Sequence, residues 1–356
     1  MLLFVQLFFT TLLSYLLVKQ VIRYAYNLQL LDVPNERSHH CNIIPSGGGI
    51  GFVAALFMSI FIFKFSFFLH YWYIFLSILI VFAFGIYDDR HDISARLKFI
   101  AISIAVGLLS SFGVSINTLG DWYGYDIHLL WWIGVPFSMF AVAGFTNALN
   151  LIDGIDGLSS SISVIILLCF VFLGFQFEDD LLVLLSMFTI ASVLGFMFLN
   201  WHPAQIFMGD SGSLTLGFII SILAVVSIKY VHPVAILYLI AIPLLDTLIV
   251  MVRRIRRGKN PFSPDKTHLH HILVKFFDGN VPRTVAFLSL MQVVFSGIGY
   301  AILDSISKGD KGNIALFALV GFALMFALFY MIFTGIKRRQ KLIDKQMKRD
   351  KKRKNS

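Results

Sequence analysis

Long apolar runs alternate with short polar breaks along almost the whole chain. Most runs approach the roughly 20 apolar residues that a helix needs to cross a bilayer. We therefore predict an all-α, polytopic membrane protein with eleven transmembrane helices. The predicted spans are residues 1–18, 48–63, 67–87, 99–112, 129–149, 159–175, 181–199, 214–228, 234–252, 285–303 and 314–333.

The composition supports this prediction, because 58% of the 356 residues are hydrophobic and the mean hydropathy is +0.81. The first apolar run has neither a basic segment before it nor a small-residue cleavage site, so we interpret it as a span and not as a signal peptide. Cys41 and Cys169 predict no disulfide, and neither stands in a metal-binding spacing.

The positive charges indicate an orientation. Of the 29 Lys and Arg residues, 25 fall in one alternating set of breaks together with the C-terminal end. By the positive-inside rule, that set is cytoplasmic and the N-terminus faces outward. We expect a membrane catalytic domain, residues 1–333, followed by a basic cytoplasmic tail, residues 334–356. The tail is typical of an anchor on anionic lipid, and we expect no nucleic-acid partner.

The same predicted cytoplasmic breaks carry the polar chemistry. Asp88, Asp89 and Asp92 close the third span. Residues three or four apart share a helix face, so two of these carboxylates could converge on Mg²⁺ or act as a general base. The alternative is a solvated acidic loop paired with Arg90 and Arg96.

The segment 147–157 repeats a spacing of three residues in Asn147 and Asn150, and again in Asp153 and Asp156. It contains no Lys or Arg. Two carboxylates beside apolar spans are costly without a partner, which favours a bound metal or ligand. The alternative is a turn whose acids are hydrated.

Asp210 lies between glycines at a predicted helix start, where backbone N–H groups bind phosphate and the carboxylate can hold a metal. The alternative is a simple helix cap. Three imidazoles, those of His268, His270 and His271, stand among cations and favour an anionic phosphate or sugar over zinc. Asp246 lies inside the ninth predicted span, either as a functional group or as the partner of an Arg.

The first polar break contains Arg37 and His40, followed by three glycines at positions 47–49. The cations point to phosphate. The glycines permit either close approach of the backbone to a ligand or a flexible helix start.

Five motifs, in this order and topology, resemble those of the polyprenyl-phosphate N-acetylhexosamine-1-phosphate transferases. The resemblance covers essentially the whole chain. The matching residues are Asp32, Pro34, Arg37, His40, Pro45, Gly48 and Gly49, then Asp88, Asp89 and Asp92, and then the segments 147–157, 207–213 and 264–271.

The resemblance implies a glycosyltransferase reaction in which a lipid phosphate attacks the β-phosphorus of a UDP-sugar and UMP leaves. It implies Mg²⁺, with Mn²⁺ as a substitute, beside Asp210 and Asn150. The implied catalytic residues are Asp88, Asp89, Asp92, Asp153 and Asp156, with Asp88 orienting or deprotonating the lipid phosphate and Asp156 near uracil. The implied substrate-binding residues are Arg37, His40, Asn147, Asn150, Asp156, His268, His270 and His271.

The implied partners are undecaprenyl phosphate, a UDP-N-acetylhexosamine and the lipid bilayer, with a homodimer as one assembly. The implied location is the bacterial cytoplasmic membrane, at the first membrane step of surface polysaccharide synthesis (O-antigen, common antigen or teichoic acid type). The sugar stays open between GlcNAc and its relatives.

Two alternatives to this function are open. The first is a phospho-MurNAc-pentapeptide translocase, although Asp92 stands where those enzymes usually carry Lys. The second is a secondary transporter. Transporters place ionisable groups near the bilayer midplane, whereas here only Asp246 lies within a predicted span.

Overall fold

The computed structural model describes residues 1–32, 43–91, 93–260, 268–308 and 311–354. Helices form most of these residues. They are α1 Leu2–Tyr24, α2 Gly48–Phe63, α3 Phe65–His70, α4 Trp72–His91, α5 Ala95–Ser111, α6 Trp131–Ile152, α7 Leu158–Gln176, α8 Asp180–Asn200, α9 Gly209–Ser227, α10 Pro233–Leu239, α11 Ala241–Ile255, α12 Leu269–Phe276, α13 Val281–Lys308 and α14 Lys311–Lys354.

Many of these helices can cross a membrane. By length and composition, eight qualify within the described ranges, namely α1, α4, α6, α7, α8, α9, α13 and α14. The pair α10 and α11 qualifies together but is bent by 87°. The chain is therefore a mostly helical, multi-pass membrane protein, as the hydropathy pattern predicted.

The bend between α10 and α11 differs from the single straight span predicted over residues 234–252. Pro243 lies in the first turn of α11. A proline has no N–H and its ring clashes with the carbonyl four residues earlier, here that of Leu239, where α10 ends. The local backbone therefore cannot continue as one regular helix.

Helix α9 forms the centre of the bundle, and most of its side chains are buried. It packs against α2, α4, α6 and α7. Small residues allow two of these approaches. A Cβ atom on Gly49 of α2 would overlap the backbone of Gly212, and one on Gly85 of α4 would lie 2.6 Å from the Cα atom of Ser211.

The glycines at the start of α2 therefore approach the polypeptide itself. The N–H of Gly48 donates to the carbonyl of Phe207 at 2.9 Å, and the N–H of Gly49 donates to that of Met208 at 2.8 Å. Sequence reasoning offered ligand approach or a flexible start. The structure shows instead that these glycines lock α2 against the segment that leads into α9.

Two short antiparallel hairpins add strands to the predicted all-α fold. Strand β1 Leu31–Asp32 pairs with β2 Ile44–Pro45, and β3 Thr118–Trp122 pairs with β4 Tyr125–His128. The second hairpin lies in a predicted outward loop, and Trp122 packs edge-on against His232 with ring centroids 5.1 Å apart.

Candidate active site

The ends of four helices meet at one point and bring together residues that are far apart in sequence. Asp88 lies in the last turn of α4, Lys98 in the first turn of α5, Asn150 near the end of α6 and Asp210 at the start of α9. Three of these four residues belong to the predicted site. Described residues from three separate polar breaks, Asp88, Asn150 and Asp210, therefore form one cluster.

Lys98 joins the two carboxylates at the centre of this cluster. Its ammonium lies 2.8 Å from Oδ2 of Asp210 and also forms an ion pair with Oδ2 of Asp88. Asp88 is only 3% exposed, and its Oδ1 accepts a hydrogen bond from the N–H of Ile93 at 2.8 Å. One cation therefore balances a buried acid, Asp88, and a half-buried one, Asp210.

Sequence reasoning assigned no role to Lys98, because a single lysine at the start of an apolar run looks like a charge at the membrane surface. The available signal was its position. Lys98 is the basic residue that immediately precedes the fourth predicted span, ten residues after Asp88.

Asp89 caps the N-terminus of α9 from a neighbouring helix. Its Oδ1 accepts from the N–H of Asp210 at 2.6 Å, and its Oδ2 accepts from the N–H of Ser211 at 3.1 Å. A carboxylate is favourable there because it faces the positive end of the helix dipole. The sequence suggested that these N–H groups hold phosphate or are capped by Asp210 or Ser211. In the structure Asp89 bonds two of them.

Asn150 holds the carboxylate of Asp210 from the other side. Its Nδ2 donates to Oδ1 of Asp210 and to the hydroxyl of Ser213, the latter at 2.8 Å. The carboxylate of Asp210 is thus fixed by an amide on one oxygen and an ammonium on the other. Asn147, one turn earlier on α6, is half-buried.

Asp153 follows α6 directly, and its carboxyl is exposed to the negative charges of neighbouring acids. Burial, followed by the negative charges of Asp210, Asp89 and Asp156, raises the pKa of this carboxyl to about 8. Such a group holds its proton at neutral pH unless a cation is added nearby. Burial is thus the main cause of the raised pKa, and the neighbouring carboxylates add to it.

Asp156 is positioned by the segment between α8 and α9. Its Oδ2 lies 2.7 Å from Nδ1 of His202 and accepts from the N–H of Ala204 at 3.1 Å. Sequence reasoning missed His202. Its signal is the pair His202-Pro203, a polar break between two apolar runs only eight residues before Asp210.

The imidazole segment, residues 268–271, lies against the acidic segment, residues 153–156. A Cβ atom on Gly154 would overlap the ring of His270, so this imidazole can approach residue 154 only because that residue has no side chain. The ring of His271 lies 4.2 Å from that of His270 between centroids. His270 therefore lies beside the segment that carries Asp153 and Asp156, and His271 lies beside His270.

His268 has a different position, bonded to the buried Asp246. Its Nδ1 lies 2.8 Å from Oδ2 of Asp246, whose Oδ1 accepts from the N–H of Leu269 at 2.6 Å. Sequence reasoning left Asp246 open between a functional group and a partner of Arg. In the structure its carboxylate fixes the start of α12, which carries His270 and His271.

Three predicted site residues lie outside the described residues, namely Arg37, His40 and Asp92. Their expected roles stay predictions.

The donor set suits Mg²⁺ better than a metal that needs a full protein cage. In the described part of the chain, no three acidic, imidazole or thiol groups form a complete ligand set. Asp88 and Asp210 nevertheless converge on one cation, the Lys98 ammonium. Mg²⁺ usually takes one or two carboxylates and completes its shell with water and substrate phosphates. Two converging carboxylates therefore fit this ion.

The chain is similar to known proteins. Residues 71–228 match the model of glycosyl transferase family 4. The chain is 34% identical over 279 residues, 76% of each protein, to a probable undecaprenyl-phosphate N-acetylglucosaminyl 1-phosphate transferase of Bacillus subtilis (strain 168). It is 34% identical over 260 residues to an undecaprenyl-phosphate alpha-N-acetylglucosaminyl 1-phosphate transferase of Yersinia pestis, covering 70% of this chain and 71% of that protein.

An Escherichia coli (strain K12) protein of the same name as the Yersinia relative is 32% identical over 293 residues, 79% of this chain and 77% of that protein. The matched region 71–228 contains the four helix ends that meet at Lys98. Identity at this level over more than two thirds of the chain confirms the resemblance that the motifs indicated, and the chain belongs to glycosyl transferase family 4, with the polyprenyl-phosphate N-acetylhexosamine-1-phosphate transferases.

Proposed function

We propose that this protein transfers an N-acetylhexosamine 1-phosphate from a UDP-sugar to undecaprenyl phosphate and releases UMP. The observation that carries the proposal is the convergence of Asp88, Asn150 and Asp210 around Lys98 in a chain of this family. The names of the relatives favour GlcNAc as the sugar. The relatives also favour this transferase over a phospho-MurNAc-pentapeptide translocase and over a transporter.

Asp210 and Asp88 would hold Mg²⁺, with Asn150 keeping Asp210 in place. Bound there, Mg²⁺ would neutralise the charge of the donor pyrophosphate. Lys98 supplies a second positive charge at the same point, so the two negatively charged substrates can approach each other. Fixed charges of this kind are effective because they need no reorganisation when the phosphorus is attacked.

Asp88 lies where it can orient the phosphate of the lipid. Its helix α4 ends three residues later, at His91. A phosphate monoester is largely ionised at neutral pH, with a second pKa near 6, so the attack needs little proton removal. We therefore assign to Asp88 positioning of the acceptor through Lys98 and the metal, rather than strong base catalysis.

The uridine part of the donor would meet Asp156 and His202, and the sugar phosphate would meet His270 and His271. The contact between Gly154 and His270 supports this arrangement, because it brings the two segments within reach of one donor molecule.

We further propose eleven membrane crossings with the N-terminus outside. The eight qualifying helices, the bent pair α10–α11, and the shorter helices α2 and α5 give this number. The active site then lies on the cytoplasmic face of a bacterial inner membrane, because the basic breaks lie on the same side as the active site.

UMP release tests the function. Purified protein is incubated with undecaprenyl phosphate, Mg²⁺ and a panel of UDP-sugars that includes UDP-GlcNAc and UDP-MurNAc-pentapeptide. We expect UMP release with UDP-GlcNAc or a close relative, and loss of release in excess EDTA. Release with the pentapeptide donor alone would instead identify a translocase, and no release with any donor would contradict the proposal.

Thiol labelling tests the orientation. Single cysteines replace Ser94 or Tyr125, both exposed, in a chain without Cys41 and Cys169. An impermeant reagent on intact cells should label position 125 and spare position 94. The opposite pattern would place the candidate active site outside the cell.

A further inference from the structure

A basic cavity lies between the end of α11 and residues 330–338 of α14. Its volume is about 630 Å³, within the roughly 300–1,000 Å³ that is usual for small-molecule sites. The described residues that line it offer hydroxyl groups from Tyr330 and Thr334 and no carboxylate. Its cationic side chains are Arg253, Arg256, Arg257, Lys337 and Arg338.

Two hydroxyl side chains accept hydrogen bonds from guanidinium groups that line the cavity. Nε of Arg253 donates to the hydroxyl of Thr334 at 3.2 Å. An Nη atom of Arg256 donates to the phenol of Tyr330 at 3.2 Å, and its guanidinium lies 4.9 Å from the centre of that ring. Arg253 is only 2% exposed. Positive charge is thus concentrated in a shaped, partly desolvated space, where an anion is strongly favoured.

The cavity adjoins a lipid-facing surface. Leu324 and Met331 on α14 are 65% and 63% exposed, as expected for side chains that touch acyl chains. They precede Arg338 by fourteen and seven residues, which are about four and two turns of an α-helix. The three side chains therefore lie on nearly the same face of α14. An apolar stripe therefore leads along the helix to the cationic cavity.

We propose that this cavity binds the phosphate headgroup of an anionic membrane phospholipid whose acyl chains lie along the apolar stripe of α14. Arginine forks match phosphate oxygens bidentately, and basic pockets between membrane helices are suited to anionic headgroups. Free phosphate would share the polar recognition but would leave the stripe unused. The cavity is separate from the helix ends that carry Asp88 and Asp210, and the inference does not depend on the proposed transferase reaction.

Native mass spectrometry of the full-length protein in detergent tests the proposal, with phosphatidylglycerol, phosphatidylcholine or inorganic phosphate as the probe. The site variant is R256Q/R338Q. Its matched control is K259Q/R339Q. This variant also removes two positive charges from the same two segments, but at residues that do not line the cavity. We expect wild type and control to retain phosphatidylglycerol preferentially. The site variant should bind phosphatidylglycerol at least about tenfold more weakly, because each cation near an anionic lipid contributes about 1 kcal/mol of binding free energy.

Three results would overturn the proposal. Equal losses in the two double variants would show unspecific attraction to a basic surface. Equal retention of phosphatidylcholine and phosphatidylglycerol by the wild-type protein would show that the site does not recognise an anionic headgroup. This comparison needs no variant. Competition by inorganic phosphate at the same concentration as the lipid would identify a free phosphate site. If R256Q/R338Q does not fold, R256K/R338K keeps the charge, loses the fork, and should still weaken binding.

Discussion

The ammonium of Lys98 lies 2.8 Å from the carboxylate of Asp210, although the two residues are 112 positions apart in the sequence. This ion pair joins the first turns of α5 and α9, and the second carboxylate that Lys98 contacts belongs to Asp88. Because the lysine lies between two acids, its charge stabilises the site, and on the proposed function it would also favour the approach of anionic substrates.

Replacing Lys98 should therefore abolish most of the activity. We expect K98M to lower turnover by about 10²-fold or more, the usual scale for a preorganised electrostatic group. K98R should keep part of the activity. The measurement is UMP release from protein of unchanged thermal stability, and R96Q, which removes an exposed charge two residues earlier, serves as the control. A K98M enzyme near wild-type activity would reduce the lysine to a surface charge.

Asp210→Asn should also reduce turnover by at least about 10²-fold while the protein stays folded. The exchange removes the charge but keeps the shape, so the amide of Asn150 and the ammonium of Lys98 lose their common anionic partner. Asp126→Asn, in the hairpin β3–β4, is the control. Full activity of D210N would make Asp210 a mere part of the helix start.

Stability in EDTA should fall as the pH rises. The pKa of Asp153 is raised to about 8, so the folded state favours the protonated carboxyl. Its contribution to stability is complete below the unfolded pKa near 3.8 and is lost as the pH rises through about 8. Between about pH 6 and 8.5 we expect Tm to drop by about 2–5 °C. D153N should flatten this dependence, and an unchanged slope in that variant would assign it to another group.

Gly154 should not tolerate a side chain. G154A places a methyl group where the ring of His270 lies, so we expect the imidazole segment to shift and kcat/KM to fall by roughly tenfold. G144A is the matched control, because a Cβ there meets no atom within 4 Å. Similar kinetics for the two alanine variants would show that His270 does not act beside the acidic segment.

A methyl group at the contact between α2 and α9 should destabilise the bundle. G49A would overlap the backbone of Gly212, whereas G107A meets only Met139 at an ordinary 3.6 Å. We expect G49A to cost about 1–3 kcal/mol through overpacking and to lower both Tm and turnover. G107A should change neither by much, and equal melting temperatures would contradict the close helix contact.

Much of this architecture could be predicted from the sequence, because each apolar run and each acidic break is a local signal. Span 48–63 coincides with α2, and three residues singled out in separate breaks, Asp88, Asn150 and Asp210, lie together in the structure. What could not be predicted depends on contacts between distant segments. Lys98 and His202 gain their importance only from the carboxylates that packing brings to them.

The break between α10 and α11 was hidden for a related reason. Hydropathy continues through it, so residues 234–252 look like one span, and only Pro243 marks the turn. The role of Asp89 was equally invisible. A carboxylate that caps a helix from another helix leaves no local pattern.

Because the chain turns by 87° between α10 and α11, α11 forms an arm nearly perpendicular to α10. The imidazole segment that follows is tied back to this arm by the buried Asp246 and His268. On the proposed function, the part that reads the sugar is then tied to this arm, while the phosphate chemistry is carried by the ends of other helices, α4, α5, α6 and α9. Evolution can therefore change the accepted sugar by altering the arm and leave the geometry at phosphorus intact.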